Sequence, residues 1–263
     1  MGIDRLSQWQ VVAASICGKS HEKLGQLCQD AHHWEVLPEG VVVAAVADGA
    51  GSAVLGKVGA IVATQTAIET ISSNQDMPSS SDEAGWQLRL RDALVAAKIA
   101  VEAEALACQV KARDLATTLI VAIASPSLIA AAQIGDGVIV VSDRQGNLIA
   151  LTTPQRGEHI NETTFLVSPN ALDIAQIVLW HGATASLAIM SDGLQMLALE
   201  INQGKPHAPF FNPLFRFLAE VTDETEAEEQ LVALLRSERI TKLADDDLTL
   251  LVATLPYPPH PVL

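Results

Sequence analysis

A chain of 263 residues with a formal charge of −15 and only 16 lysines and arginines, spread thinly, is not built to neutralise a nucleic-acid backbone or an anionic membrane. Hydrophobic residues make up 49% of it, enough for one sizeable core, yet no apolar run approaches the roughly 20 residues that span a bilayer. Three cysteines without C-x-x-C spacing read as reduced thiols, and the opening M-G-I-D-R-L lacks the blocks of a secretory signal. The expectation is a monomeric cytoplasmic protein, one domain over residues 1–255 and a proline-rich tail over 256–263.

Residues 9–18 read as a first strand, followed by a polar loop over 18–30 that leads into a second strand with Gln29 and Asp30 near its start. His21, His32 and His33 are close in sequence, but no cysteine or further histidine stands at zinc-ligand spacing, so solvated loop histidines are expected. Residues 41–47 form an apolar, β-branched run that delivers Asp48-Gly49 at its end. From Val54 the spacing of Val58, Ile61, Val62, Ile68 and Ile71 predicts an amphipathic helix. Leu90, Leu94, Ala97 and Val101 mark a second helix with Asp82 as N-cap, the pair forming an αα-hairpin over a sheet face.

Segments 117–124, 128–135, 138–142 and 148–151 read as short antiparallel strands separated by S-P-S, D-G and D-R-Q-G-N, with Asp136-Gly137 as a hairpin turn. Further strands are expected at 165–167, 173–180 and 186–191, then a helical segment after Gly193 and a loop over 202–213. A helix follows from about Thr225, where T-E-A-E matches a capping box, and a last strand over 248–255 is preceded by Asp245-Asp246-Asp247.

A single Asp-Gly after an apolar run is usually a turn, but four strand ends here carry a carboxylate. Asp48-Gly49 and Asp192-Gly193 run into helical spacing, so hairpin chemistry explains neither. Aspartates offered from separate strand ends are hard oxygen ligands suited to Mg²⁺ or Mn²⁺. Two such ions clamp a phosphate and acidify a bridging water for in-line attack, supplying the positive charge the chain lacks.

The set Q-D-A (29–31), V-A-D-G-A-G (46–51), A-T-T-L (116–119), I-G-D-G (134–137), M-S-D-G (190–193) and D-D-L-T-L-L-V (246–252) resembles the metal-dependent protein phosphatases of type 2C, the PPM family. The likeness is closest to a compact bacterial branch with an N-terminal G-x-S-H…C-Q-D loop, here residues 18–30. The resemblance implies an α+β fold, an αββα sandwich of two antiparallel sheets flanked by helix pairs. It also implies a serine/threonine phosphatase that cleaves phosphomonoesters with a hydroxide bridging two Mn²⁺ or Mg²⁺ ions. Asp48 would bridge the two metals, the Gly49 carbonyl would ligate one, and Asp192 and Asp246 would complete the other. Asp136 with Asp192 would hold a more labile third ion, and Asp30 would act through a water or from behind the ligands. The implied partner is a phosphorylated protein, in signalling opposed to a protein kinase.

Three positions depart from the family pattern. Gln29 replaces a common acidic residue, Gly25 stands where a phosphate-holding arginine would be, and Ala50 stands where animal members have a histidine. His21 and Arg156 are the candidates to hold the phosphate, and His21 alternatively to donate a proton. The polar segment 156–165 is expected to border the site. Among other readings, Val54 stands where the third glycine of G-x-G-x-x-G belongs, and neither a Walker G-K-S/T nor a G-x-S-x-G occurs. The remaining alternative is the same fold acting as an inactive regulatory or binding module. Retention of four clustered carboxylates, whose repulsion must be offset, argues against it.

Overall fold

The computed structural model describes residues 9–74, 76–155, 163–200 and 203–255. In chain order the elements are β1 (Gln10–Ile16), a short helix α1 (Lys19–Lys23), β2 (Ala31–Leu37), β3 (Val41–Ala47), α2 (Gly56–Ser72), α3 (Glu83–Ala107), β4 (Leu119–Ala124), β5 (Leu128–Ile134), β6 (Val138–Asp143), β7 (Leu148–Ala150), β8 (Gln176–His181) and β9 (Thr184–Met190). They continue with α4 (Gln195–Ala198), β10 (Leu199–Glu200), β11 (Lys205–Pro206), α5 (Ala208–Glu220), α6 (Glu224–Leu235), α7 (Glu238–Thr241) and β12 (Leu248–Thr254). Two five-stranded antiparallel sheets, ordered β1-β12-β9-β6-β7 and β2-β3-β4-β5-β8, stack face to face. The first carries α5 and α6 on its outer face and the second carries α2 and α3. The expected αββα sandwich is therefore the fold.

Strand β3 shows why the core strands read as unbroken apolar runs. Val42, Ala44 and Val46 point between the sheets toward Val11, Ala13, Leu251 and Ala253. Val43, Ala45 and Ala47 point outward into the α2 and α3 layer. A strand buried on both faces has no polar side to alternate with. Asp82 caps α3 as expected, its carboxylate accepting from the Gly85 amide at 2.9 Å.

Several local expectations are corrected. Asp136-Gly137 is not a hairpin turn, because β5 pairs with β4 and β8 whereas β6 pairs with β7 and β9, so the chain crosses from one sheet to the other. The buried Gln133 amide clasps that crossover, donating to the carbonyls of Gly135 at 2.9 Å and Gly137 at 2.8 Å. Residues 165–167 form turns rather than a strand. Phe165 and Val167 pack on Ala50, Ala53 and Ala116, and the Leu166 amide donates to Thr117. The loop expected over 202–213 gives way to α5, which tolerates Pro209 in its first turn and Pro213 inside because Phe211, Leu214, Phe215 and Leu218 bury one face on the sheet.

Helix α2 turns part of the expected stripe inward: Ile68 and Ile71 are buried, and Val58 and Val62 pack half-buried against the same core. Gly59, Ala60, Ala63, Thr64 and Ala67 join Ile68 and Ile71 on its buried face, while Ile61 is exposed and Val54 precedes the helix, exposed. Small residues let the helix axis settle closer to the sheet than a β-branched stripe would. Residues 156–162, including Arg156, and the tail 256–263 lie outside the described residues.

Helix α6 starts one residue before Thr225, and its cap is Asp223, whose Oδ1 accepts from the amides of Thr225 at 2.9 Å and Glu226 at 3.1 Å. Asp223→Ala is expected to lower stability by about 1 kcal/mol in urea denaturation. Thr225→Ala, at an exposed position outside the cap, is expected to change it by less than about 0.5 kcal/mol.

Candidate active site and its carboxylate cluster

Strand β3 ends at Asp48, and the two threonines of A-T-T-L fix its peptide. The Thr118 amide and the Thr117 hydroxyl donate to the Asp48 carbonyl at 2.8 and 2.9 Å, and the Asp48 amide donates to Thr118 Oγ1 at 2.9 Å. The glycines that follow Asp48 and Asp192 serve close approach rather than turn dihedrals. A Cβ at Gly49 would stand 2.5 Å from the Gly56 backbone and 2.7 Å from the Gln29 carbonyl, and one at Gly193 would stand 2.2 Å from the Asp247 carbonyl. Each Asp-Gly pair is a point where another segment's backbone presses against the chain, which turns the carboxylate into the cleft.

Around Asp48 the other strand ends converge. The Asp192 and Asp48 carboxyls lie close enough to share a proton, and Asp30, Asp136 and Asp246 lie within electrostatic reach of one or both. Asp30 is buried at the foot of β2, where its Oδ2 accepts from the Ser191 hydroxyl at 2.8 Å, and that hydroxyl accepts from the Thr249 amide at 3.0 Å. Asp136, in the sheet crossover, accepts from the Thr163 hydroxyl at 2.7 Å. Burial, reinforced by Asp30 and Asp192, holds the Asp48 carboxyl well above the usual carboxylate range. Burial and then Asp136 push Asp192 up to about 6. Asp30 rises to about 7 through burial, against the lowering effect of hydrogen bonds from Ser191 and Thr249. Asp136 rises through burial, opposed by the Thr163 bond.

Among the described residues no lysine or arginine forms an ion pair with any of these five aspartates. Oδ1 of Asp30 and Oδ1 of Asp192 are buried with no hydrogen-bond partner, and no donor among the described residues reaches the Gly49 carbonyl. Crowded hard oxygens, some orphaned and none paired with a base, fit divalent cations of the Mg²⁺ or Mn²⁺ kind.

The sequence matches the family model for protein phosphatase 2C over residues 17–236. The chain belongs to the protein phosphatase 2C family. Members of this family are metal-dependent phosphatases. The chain is 34% identical to serine/threonine-protein phosphatase 3 of Escherichia coli (strain K12) over 256 residues, 93% of this chain and 98% of that protein. Solved structures of similar fold include the catalytic domain of the serine/threonine phosphatase PstP in complex with two manganese ions, at TM-score 0.62, 17% identity and coverage of 94% and 97%. A crystal structure of a bacterial serine phosphatase matches at TM-score 0.67 and 14% identity, covering 95% and 99%.

Sequence reasoning missed Asp247 in this phosphatase. Its neighbour Asp246 is exposed, whereas Asp247 is buried, with Oδ1 accepting from the Gly18 amide at 2.6 Å and Oδ2 from the Gln29 amide at 2.5 Å. His21 is not a solvated loop histidine: it is 8% exposed, with Nδ1 2.9 Å from Asp247 Oδ2. One ligand-type atom from each of His21, Asp246 and Asp247 lies within 4.8 Å of the others, so His21 sits at the edge of the carboxylate cluster. His32 instead bonds Ser15 at 2.9 Å and His33 is exposed, so the three histidines do not gather. Ser191, Thr117 and Thr163 were also missed as supports. The first two stand inside the quoted motifs, while Thr163 lies within the segment 156–165 expected to border the site.

The carboxyls of Asp30 and Asp192 bind protons more readily folded than unfolded, so folding of the metal-free protein takes up protons between about pH 4 and 7. Stability of the metal-free protein should therefore fall as pH rises through that window. Thermal unfolding in chelator is expected to show a higher Tm at pH 6 than at pH 8, and saturating Mn²⁺ to raise the pH 8 value most.

Proposed function

We propose that the chain removes phosphate from serine and threonine side chains of proteins at this carboxylate cluster. The observation that carries the reading is the convergence of Asp30, Asp48, Asp136, Asp192 and Asp246, with buried orphan oxygens and, among the described residues, no lysine or arginine paired to them. Asp48, Asp192, Asp246 and the Gly49 carbonyl would hold two Mn²⁺ or Mg²⁺ ions, Asp136 with Asp192 a more labile third, and Asp30 would act from behind them. Once bound, such ions supply an acidified water and neutralise the phosphoryl charge.

The residues of the chain orient and brace. Thr117 and Thr118 lock the Asp48 peptide, Ser191 ties Asp30 to the first residues of β12, and Thr163 steadies Asp136. The residue at the arginine position, Gly25, lies in a left-handed turn at φ 68° with open space around it, so the loop offers no guanidinium there and bound metals would be the main hold on the phosphate. Nearly buried and set against Asp247, His21 acts as a positioning residue for Asp246 and the 18–30 loop rather than as the group that grips the phosphate. The wider reading is one domain over residues 1–255, a cytoplasmic monomer opposed to a protein kinase, without nucleic-acid or membrane partners. Among the described residues no helix is long and apolar enough to cross a membrane.

Hydrolysis of p-nitrophenyl phosphate should require Mn²⁺ or Mg²⁺ and stop in EDTA; turnover undiminished by chelator would falsify the metal mechanism. Asp48→Asn should leave the far-ultraviolet circular dichroism unchanged and cut kcat by at least about a hundredfold. For His21→Ala the expected result is a lower kcat with KM for p-nitrophenyl phosphate within a few-fold. A rise in KM alone would instead put the imidazole on the phosphate.

A further inference from the structure

Three large aliphatic side chains stand in water beside the catalytic cleft. Leu24 is 72% exposed, Leu27 71% and Val54 81%, and none belongs to a core cluster among the described residues. Single exposed aliphatics are ordinary, but the segments that carry Leu27 and Val54 are tied together by one side chain, and Leu24 stands on the same loop as Leu27. Gln29 donates through Nε2 to the Leu27 carbonyl at 2.7 Å and accepts through Oε1 from the Lys57 amide at 3.0 Å, stapling the 18–30 loop to the start of α2 just past Val54. The Gln29 amide is itself anchored on Asp247, and the next residue is Asp30 of the cluster. Next to Val54 in the chain, Ala53 belongs to the small apolar cluster against which half-buried Phe165 packs. An amide, able to donate and accept at once, makes this staple; a carboxylate at position 29 would repel the Leu27 carbonyl.

We infer that Leu24, Leu27 and Val54, continued by Phe165, form a rim that seats aliphatic or aromatic residues flanking the phosphorylated side chain of the substrate, an inference that rests on the cluster being the catalytic site. The substrate class is a phosphoserine or phosphothreonine in an extended segment with apolar neighbours and without acidic ones. Charge supports the same choice: the chain as a whole carries −15, which disfavours an acidic flank.

The test compares kcat/KM in Mn²⁺ for phosphothreonine peptides that differ only in flanking residues, leucine, alanine or aspartate, with p-nitrophenyl phosphate as a substrate that has no flanks. Wild type should favour the leucine peptide over the alanine peptide by about tenfold and disfavour the aspartate peptide. Leu27→Asp and Val54→Asp, with Val54→Ser as a milder variant, should bring the leucine-to-alanine ratio to about one while p-nitrophenyl phosphate turnover stays within about twofold of wild type. Equal kcat/KM for the leucine and alanine peptides in wild type, or an unchanged ratio in all three variants, overturns the rim. A parallel fall in p-nitrophenyl phosphate turnover in the variants also overturns it, since the residues would then serve the scaffold. Absence of p-nitrophenyl phosphate turnover in wild type would instead strike the catalytic reading on which the rim depends.

Discussion

Mutual repulsion of aspartates forced together, without a lysine or arginine partner among the described residues, is the constraint to which the rest of this structure answers. Two unit charges 4 Å apart at an effective dielectric constant of 20 repel by about 4 kcal/mol, a large share of the 5 to 15 kcal/mol that typically separates a folded domain from its unfolded chain. The elevated proton affinity of Asp30, Asp48 and Asp192 is the same repulsion and burial seen as chemistry. A fold that keeps such a cluster must spend rigidity on it. The two stacked sheets do so by ending several of their strands at one place, with cores on three levels to hold those ends still.

Neighbouring aspartates divide the labour. Asp246 is exposed at the cleft, whereas Asp247 turns inward and gathers amides of Gly18 and Gln29 with the ring of His21. One buried carboxylate thus ties the polar loop 18–30 to the start of β12 and, through it, to Asp30. Hydrogen bonds to a charged acceptor are worth roughly twice neutral ones, which explains how a loop with little apolar surface of its own stays fixed against the site. Ser191 performs a smaller version of the same task, joining the strand that delivers Asp192 to both Asp30 and Thr249.

The position that lacks the expected arginine is set in a surface unlike a phosphate clamp. Gly25 lies between Leu24 and Leu27, and Gln29 converts what would be a charged position into an amide staple. Selectivity at such a surface comes from apolar fit and from exclusion of negative charge rather than from direct grip on phosphate. That division suits an acidic chain in which bound cations carry the positive charge.

Much was legible before any coordinates. Apolar runs ending in Asp48, Asp136 and Asp192, the helix pattern of Leu90, Leu94, Ala97 and Val101, and the Asp82 cap are local properties, and local physics wrote them into the order of residues. The αββα class and the candidate metal-binding aspartates came from the family resemblance that those motifs carry together. What only the tertiary structure decided was partnership. Asp136-Gly137 has the composition of a hairpin turn, yet β5 and β6 are both apolar on two faces, and nothing local says which sheet receives each strand. Residues 202–213 read as a proline-containing loop, yet from Ala208 the chain is helix because the sheet offers Phe211, Phe215 and Leu218 a surface to cover. His21 and Asp247 are 226 positions apart along the chain, and a contact of that range leaves no periodic or turn signal in either neighbourhood. Local propensity determined which residues would be strand, helix and carboxylate, and long-range burial determined which of them meet.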